Sequence, residues 1–289
     1  PERDEKIQAS WNGLMISAFS VAYQRLDNIG YLKVAERSAQ FILDQMHTNK
    51  GRLLHIYKDG KARFNGYQDD YAFLIFALVD LYEASFNLDW LKAALRLMET
   101  MIEQFWDEKE GGFFFTGRDH ETLIVRSKNP YDNAIPSGNS MGVMSLLRLG
   151  RLLERKDLIE KAEITLKLFQ PKLRDNPSVF GQMISALDFY LKPSIEVAII
   201  GDLNAPDTRT LLAAIHRQWM PARVLALCSP KEQTEVTSMI PFLADKHQVN
   251  SKPTVYVCKD YSCFAPITQE KKLEELLGEV YRTGDFTDP

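Results

Sequence analysis

Through the first two thirds of the chain, apolar residues recur at helical spacing, in paired stripes separated by short polar breaks. Trp11, Leu14, Met15, Ala18, Phe19, Ala22 and Leu26 form the first stripe. This i, i+3, i+4, i+7 order gives a helix one apolar face. Asp27, Asn28 and Gly30 interrupt it, and Leu32, Ala35, Ala39, Ile42 and Met46 form the second. Tyr71, Leu74, Ile75, Leu78 and Tyr82 mark a third helix, and Leu91, Ala94, Leu95, Met98, Ile102 and Phe105 a fourth. Further helices are predicted over 137–154, 158–169 and 179–191, punctuated by Pro171, Pro177 and Pro193. Three helix starts resemble one another: Gly30-Tyr31-Leu32-Lys33-Val34-Ala35, Asp89-Trp90-Leu91-Lys92-Ala93-Ala94 and Asp157-Leu158-Ile159-Glu160-Lys161-Ala162. They lie roughly 60 to 70 residues apart, and a two-helix unit of that length predicts a ring or solenoid of helical hairpins.

Two inserts between the hairpins read as β-hairpins. Residues 52–64 place Asp59-Gly60 between two short runs, a strong turn signal. Residues 112–125 place Thr116-Gly117-Arg118-Asp119 between Phe113–Phe115 and Leu123–Val125. In a ring of hairpins both inserts emerge on one rim, where loops carried by a rigid scaffold carry function. After Pro193 the pattern changes. Apolar runs at 195–200, 223–228 and 254–258 alternate with helical stretches at 208–219, 231–244 and 269–281, which predicts a small α/β unit with a largely parallel sheet. The expected division is a toroid-like helical domain over 1–194 and an α/β subdomain over 195–289.

Charge and cysteine content narrow the function. A net charge of −4 argues against nucleic-acid binding, which needs a basic excess or stripe. No apolar run approaches the ~20 residues of a membrane span. Three cysteines in 289 residues make no disulfide framework, so a reducing, cytoplasmic setting is expected. Cys258 and Cys263 stand four residues apart, wider than the usual zinc or redox pair. A redox role for them stays open beside a structural one. No P-loop, GxGxxG or metalloprotease helix motif is present, so neither cofactor nor metal is expected.

The residues that carry chemistry cluster at helix starts. Asn65-Gly66-Tyr67-Gln68-Asp69-Asp70-Tyr71 follows the first insert and Asn129-Pro130-Tyr131-Asp132-Asn133 the second; Trp11-Asn12 lies at the first helix. If these starts converge, one cleft gathers the carboxylates Asp69, Asp70 and Asp132 as candidate catalytic groups. Trp11, Asn12, His55, Asn65, Tyr67, Tyr131, Asn133 and Asn139 are the candidate substrate-binding residues. Aromatic faces stack on pyranose rings, amides and acids bind hydroxyls, and paired carboxylates serve glycoside chemistry. His55 would supply a base near neutral pH, as a sugar epimerase needs. The same Asp and Asn positions also cap helices, and both readings stay open. His120 is expected to be solvated.

The segments DEKIQASWNGLMISAF (4–19), GYQDDYAFLIFALVDLYE (66–83), FWDEKEGGFFFTG (105–117), NPYDNAIPSGNS (129–140), IIGDLNAPDTRTLLAA (199–214) and YVCKDYSCFAPIT (256–268) resemble the thioredoxin-domain-containing family that includes spermatogenesis-associated protein 20. The resemblance covers almost the whole chain. It implies a layout of thioredoxin-like domain, six-hairpin (α/α) toroid and C-terminal α/β tail, the toroid resembling those of N-acylglucosamine 2-epimerase and six-hairpin glycosidases. The thioredoxin-like domain and the first hairpins have no counterpart here, so Pro1 is expected to mark the start of a fragment. The epimerases' paired histidines have none either. The expected fold is therefore mainly α: a partial six-hairpin-type toroid with β-hairpin inserts, then a small α/β subdomain. The expected function is binding or processing of a small-molecule substrate, a sugar. The alternative is a non-catalytic helical scaffold for an upstream thioredoxin-like domain.

Overall fold

The computed structural model describes residues 4–49, 51–260 and 262–282. Pro1 and the tail beyond residue 282 lie outside the described residues, as do Lys50 and Tyr261. The chain divides into two compact units. One holds the residues up to Leu149 with Asp157–Leu187, the other Gly150–Lys156 with the residues from Asp188 onward.

In chain order the helical part comprises β1 (Ile7–Gln8), α1 (Ala9–Leu26), α2 (Ile29–Gln45), β2 (Leu54–Lys58), β3 (Lys61–Asn65), α3 (Gln68–Ser85), α4 (Leu88–Phe105), α5 (Gly138–Leu152), α6 (Lys156–Asp175) and α7 (Gly181–Leu191). The hairpins share one turn design. Asp27, Phe86 and Glu154 each adopt a left-handed conformation, at φ 50°, 57° and 51°, and the next helix starts two residues later. Such a residue ends a helix by turning the backbone away from it. Asn28 and Asn87 then cap the incoming helices by accepting from Gly30 N–H and Asp89 N–H. The sequence repeat is therefore a repeat of turn chemistry as well as of apolar spacing.

The core is built around α3, where 15 of 18 residues are buried. A helix apolar on all sides belongs in the interior, with neighbours on every face. Helix α1 packs on it differently from the pattern its apolar stripe suggests. The buried residues of α1 are Ala9, Ser10, Gly13, Ile16 and Ser20, while Trp11, Met15 and Leu26 are 59%, 52% and 65% exposed. The reason is close backbone approach. A Cβ on Gly13 would lie 2.9 Å from the Phe73 carbonyl carbon and oxygen, so the small-residue face of α1 is the one that fits α3. Between the same helices lies a buried ion network. Arg148 of α5 pairs with Asp80 at 2.6 Å and Glu83 at 3.3 Å, and Ser17 of α1 donates to Asp80. The one guanidinium gives each carboxylate an oppositely charged partner, which burial requires.

The first insert is the antiparallel sheet β1-β2-β3. Its Asp59-Gly60 turn has φ 52° and 74°, the two positive angles of the tight hairpin turn that asparagine or aspartate followed by glycine favours. The second insert departs from the expected hairpin. Residues 123–125 are exposed and irregular, and the one bridge near them joins Trp106 to Phe113. Its backbone bonds to the end of α4 instead: Phe114 N–H donates to Phe105 O and Arg118 N–H to Gln104 O.

The second unit continues with β4 (Ile195–Ile200), α8 (Pro206–Arg217), β5 (Arg223–Cys228), α9 (Gln233–Met239), β6 (Thr254–Lys259), β7 (Ser262–Cys263) and α10 (Glu270–Arg282). Its sheet order is β5-β4-β6-β7. Only β4 and β5 are parallel, with α8 as their crossover; β6 and β7 run antiparallel. The sheet is mixed rather than largely parallel because the chain after β5 does not cross back. Thr254 enters opposite Ile200, at the end where β4 and β5 finish. The helix predicted over 231–244 splits at Pro241, which cannot donate within a helix. Cys258 and Cys263, opposite each other on β6 and β7, form a disulfide. Cys228 is free and buried, and burial pushes its thiol up to about 11. Among the described residues, no helix is long and apolar enough to cross a membrane.

Gly13→Ala tests the packing of α1. Helix propensity favours alanine by about 0.8–1.0 kcal/mol, but overpacking against the α3 backbone costs about 1–3 kcal/mol. Urea unfolding should show net destabilisation. Gly278→Ala in α10, where nothing lies within 4 Å of the new methyl, should stabilise. Equal effects at the two positions would contradict the close approach.

Candidate functional site

The site is built where the first insert enters α3. Gly66 N–H donates to Leu53 O at 2.7 Å, and a Cβ there would meet that oxygen at 2.9 Å. The glycine thus brings the chain tight against the insert before α3 starts. Asp70, 1% exposed, then ties three elements together. Its carboxylate accepts from Ser10 N–H in α1 at 3.1 Å, from Tyr67 N–H before α3 at 2.9 Å, and from His55 Nδ1 in β2 at 2.8 Å.

This arrangement orients His55. With Nδ1–H donated to Asp70, Nε2 is the nitrogen left to act as a base. The hydrogen bond to Asp70, against burial, raises the His55 pKa, and the charges of Asp70 and Asp69 add to it. The ring is 28% exposed and stands edge-on to Tyr67 at 5.1 Å.

Asp69 points away from Asp70. A Cβ on Gly138 would lie 1.8 Å from Gln68 Oε1 and 2.1 Å from Asp69 Oδ1, so these two side chains occupy space only glycine leaves open. Burial, joined by the charge of neighbouring Asp70, raises the Asp69 carboxyl to about 6. The Gly138 N–H and the nearby His55 oppose that rise without cancelling it.

Asp69 lines a cleft of about 220 Å³ with Gln68, Phe115, Asn129, Tyr131, Asn133 and residues 135–139. The second insert is held over the first by Arg52. Its Nε and Nη2 donate to Asp119 at 2.7 and 2.8 Å, and Nη1 donates to Tyr71. This forked grip is geometrically specific. Asn65 Nδ2 adds a third bond to Asp119 at 3.1 Å. Phe115 is thereby laid on Tyr67, rings 4.9 Å apart and 11° from parallel. His120 is not solvated as expected. Gly117 N–H donates to its Nδ1 and its Nε2 donates to Asn65 O, so it splices the two inserts.

The structure therefore brings Asp69, Tyr131, Asn133 and Asn139 to one cleft, with His55, Asp70 and Tyr67 beside it. Asn139 is 1% exposed, and its amide is fully engaged with Phe113 N–H, Phe113 O and Asn129 O. Asp132 accepts from Ser137 N–H at 2.7 Å and Gln182 N–H at 2.8 Å, which braces the loop before α5. Trp11, Asn12 and Asn65 do not line the cleft; Asn12 donates to Gln8 O. Sequence reasoning missed Gln68, Phe115, Asn129 and the Arg52–Asp119 grip. Gln68 and Asn129 sit inside the two Asn-x-Tyr elements, which was the available signal; Phe115, Arg52 and Asp119 carried none. Among the described residues, no group of His, Cys, Asp and Glu could hold a metal ion.

No family model matches the sequence. Spermatogenesis-associated protein 20 from Homo sapiens is 33% identical over 287 residues, 96% of this chain and 36% of that protein. The chain is homologous to one region of spermatogenesis-associated protein 20. It spans about a third of the length of the curated relatives it matches. Among solved structures, a cellobiose 2-epimerase from Bacillus thermoamylovorans superposes with a TM-score of 0.51 at 14% identity, covering 98% of this chain and 77% of that one. A GH76 alpha-mannanase from Bacteroides thetaiotaomicron superposes with a TM-score of 0.50 at 18% identity, covering 59% of this chain and 46% of that one. These are likenesses of fold. They place the helical hairpins in the (α/α) toroid architecture, one shared by carbohydrate epimerases and glycosidases.

The raised Asp69 carboxyl has a consequence for stability. Its folded pKa exceeds its unfolded one, so its contribution is present below about pH 3.8 and is lost as pH rises through about 6. Asp69→Asn, which never ionises, should be more stable than the parent at pH 7 by on the order of 3 kcal/mol, and so unfold at higher temperature. The advantage should vanish near pH 4 in a thermal-unfolding series. A difference independent of pH would mean that Asp69 titrates normally.

Proposed function

We propose that this chain carries a carbohydrate-processing site in which Asp69 and His55 move protons at a sugar's reacting carbons. The observation that carries this reading is the division of labour between adjacent carboxylates. Asp70 is consumed in orienting His55 and joining α1, β2 and α3. Asp69 faces the cleft with a proton affinity near neutrality. A general acid or base works best when its pKa lies near the working pH.

The pair favours isomerisation or epimerisation over hydrolysis. Two-carboxylate hydrolysis needs two available carboxyl groups flanking the glycosidic bond. Among the described residues Asp69 is the one carboxylate lining the cleft, since the oxygens of Asp132 are taken by backbone N–H groups. Removing the proton next to an aldose carbonyl instead needs one base at carbon and one acid at oxygen. His55 Nε2 can accept the C2 proton while the Asp69 carboxyl protonates the carbonyl oxygen, giving an enediol. Return of that proton from His55 to C1, with the O2 proton passing to the Asp69 carboxylate, yields the ketose; the epimer requires the enediol to turn its other face to His55 before C2 is reprotonated and the O1 proton returns to Asp69. The toroid fold shared with a cellobiose 2-epimerase and an alpha-mannanase supports carbohydrate processing in general.

The reading is tested by incubating the protein with free aldoses in D2O. The C2–H signal should be lost by proton NMR as a second sugar appears. His55→Gln and Asp69→Asn should each slow this about 10²–10⁴-fold while keeping the folded amide spectrum. Release of reducing sugar from a glycoside with C2–H intact would establish a hydrolase instead. No turnover of either kind would remove the enzymatic reading.

A further inference from the structure

The cleft's hydrogen-bonding groups differ in availability, and the difference specifies a ligand class. The Asn139 amide is fully engaged with backbone, and Ser137 is paired with Ser140. Asn129 uses Oδ1 for Tyr131 N–H, and Asn133 makes no side-chain bond among the described residues. The Nδ2 group of Asn129 and the whole amide of Asn133 therefore face the cleft unengaged. Tyr131, 41% exposed, and Phe115, 36% exposed, offer two aromatic surfaces. The Tyr131 ring is backed by Phe180 at 5.1 Å.

Charge and size narrow the class further. No lysine or arginine lines the cleft among the described residues, and its one ionisable wall group is Asp69. A phosphate or carboxylate entering here would meet the Asp69 carboxyl and no lining cation, since Lys172 Nζ stands outside the lining, 5.6 Å from the centroid of the Tyr131 ring, and burying an unpaired charge is heavily disfavoured. At about 220 Å³ the space falls below the roughly 300–1,000 Å³ of sites for larger ligands. The loop that presents the two amides is set in advance. Asp132 holds it to Ser137 N–H and Gln182 N–H, and Asn139 holds Asn129 O. Pre-set donors bind with little ordering cost.

From these observations, and resting on the sugar reading above, we infer that the cleft is a subsite for one uncharged pyranose ring. Asn129 and Asn133 are its specificity-determining hydrogen-bond partners. Polyhydroxylated rings present alternating donors and acceptors, which amides match and ammonium or guanidinium groups do not. Asp132 and Asn139 act through the loop as positioning residues.

Saturation-transfer NMR and calorimetry on the intact protein should decide it, using D-glucose, D-mannose and N-acetyl-D-glucosamine against D-glucuronate, D-glucose 6-phosphate and cellobiose. At least one neutral monosaccharide should bind ten or more times more tightly than either anionic sugar. Cellobiose should gain less than threefold over D-glucose. Asn133→Ala and Asn129→Ala should each weaken binding about 5- to 20-fold with the amide spectrum preserved. Tighter binding of the glucuronate or phosphate would overturn the uncharged class while leaving the sugar reading intact. A large gain for cellobiose would overturn the single ring. Neutral binding unaffected by both Asn variants would place the sugar elsewhere. Failure of all six probes would sink the subsite and the sugar reading together.

Discussion

One buried carboxylate sets the geometry on which the candidate site depends. Asp70 accepts three hydrogen bonds, from Ser10 in α1, from His55 in β2 and from Tyr67 at the start of its own helix. Each is a bond from an N–H that would otherwise be left wanting at a helix start or in a side chain. A buried charge is tolerated only when its partners are this complete. Once Asp70 is fixed, the helix turns Asp69 about 100° away from it, and the imidazole of His55 is fixed in its tautomer. A structural bond thus determines which groups remain to do chemistry.

Much of the fold was legible because the repeat is local. The helix pairs follow from apolar spacing, the first turn from Asp27 and Asn28, and the first insert from Asp59-Gly60. What was not legible depends on long-range fit. The apolar stripe of α1 pointed to the wrong face because Gly13 must meet the Phe73 backbone, and nothing local to α1 records that. The second insert looked like a hairpin, yet its backbone bonds are shared among the end of α4, the start of α3 and the returning chain at Ser127. The parallel sheet was over-read because strand direction depends on where a connection returns.

The candidate residues show the same limit. Acids and amides at helix starts read equally as caps and as ligands, and the structure uses them both ways. Asp70, Asp132 and Asn139 brace the backbone, while Asp69 and Asn133 face open space. Only partner geometry separates these roles. Gln68, between Tyr67 and Asp69, lies inside an element that was singled out, but its place at the cleft shows only once its neighbour proves to be Gly138.

The connections of the helical part are of two kinds. Within a hairpin they are brief left-handed turns; between hairpins they are long, the first folded into β2 and β3 and the second irregular, and the second supplies much of the cleft wall. Change in the two kinds is therefore not equally free. Lengthening a turn would disturb the register of two packed helices. Lengthening or recasting an inter-hairpin segment leaves the helices untouched and rewrites what the cleft offers. A lineage built this way can diversify its ligands quickly over a slowly changing frame, so paralogues with near-identical helices need not share a substrate.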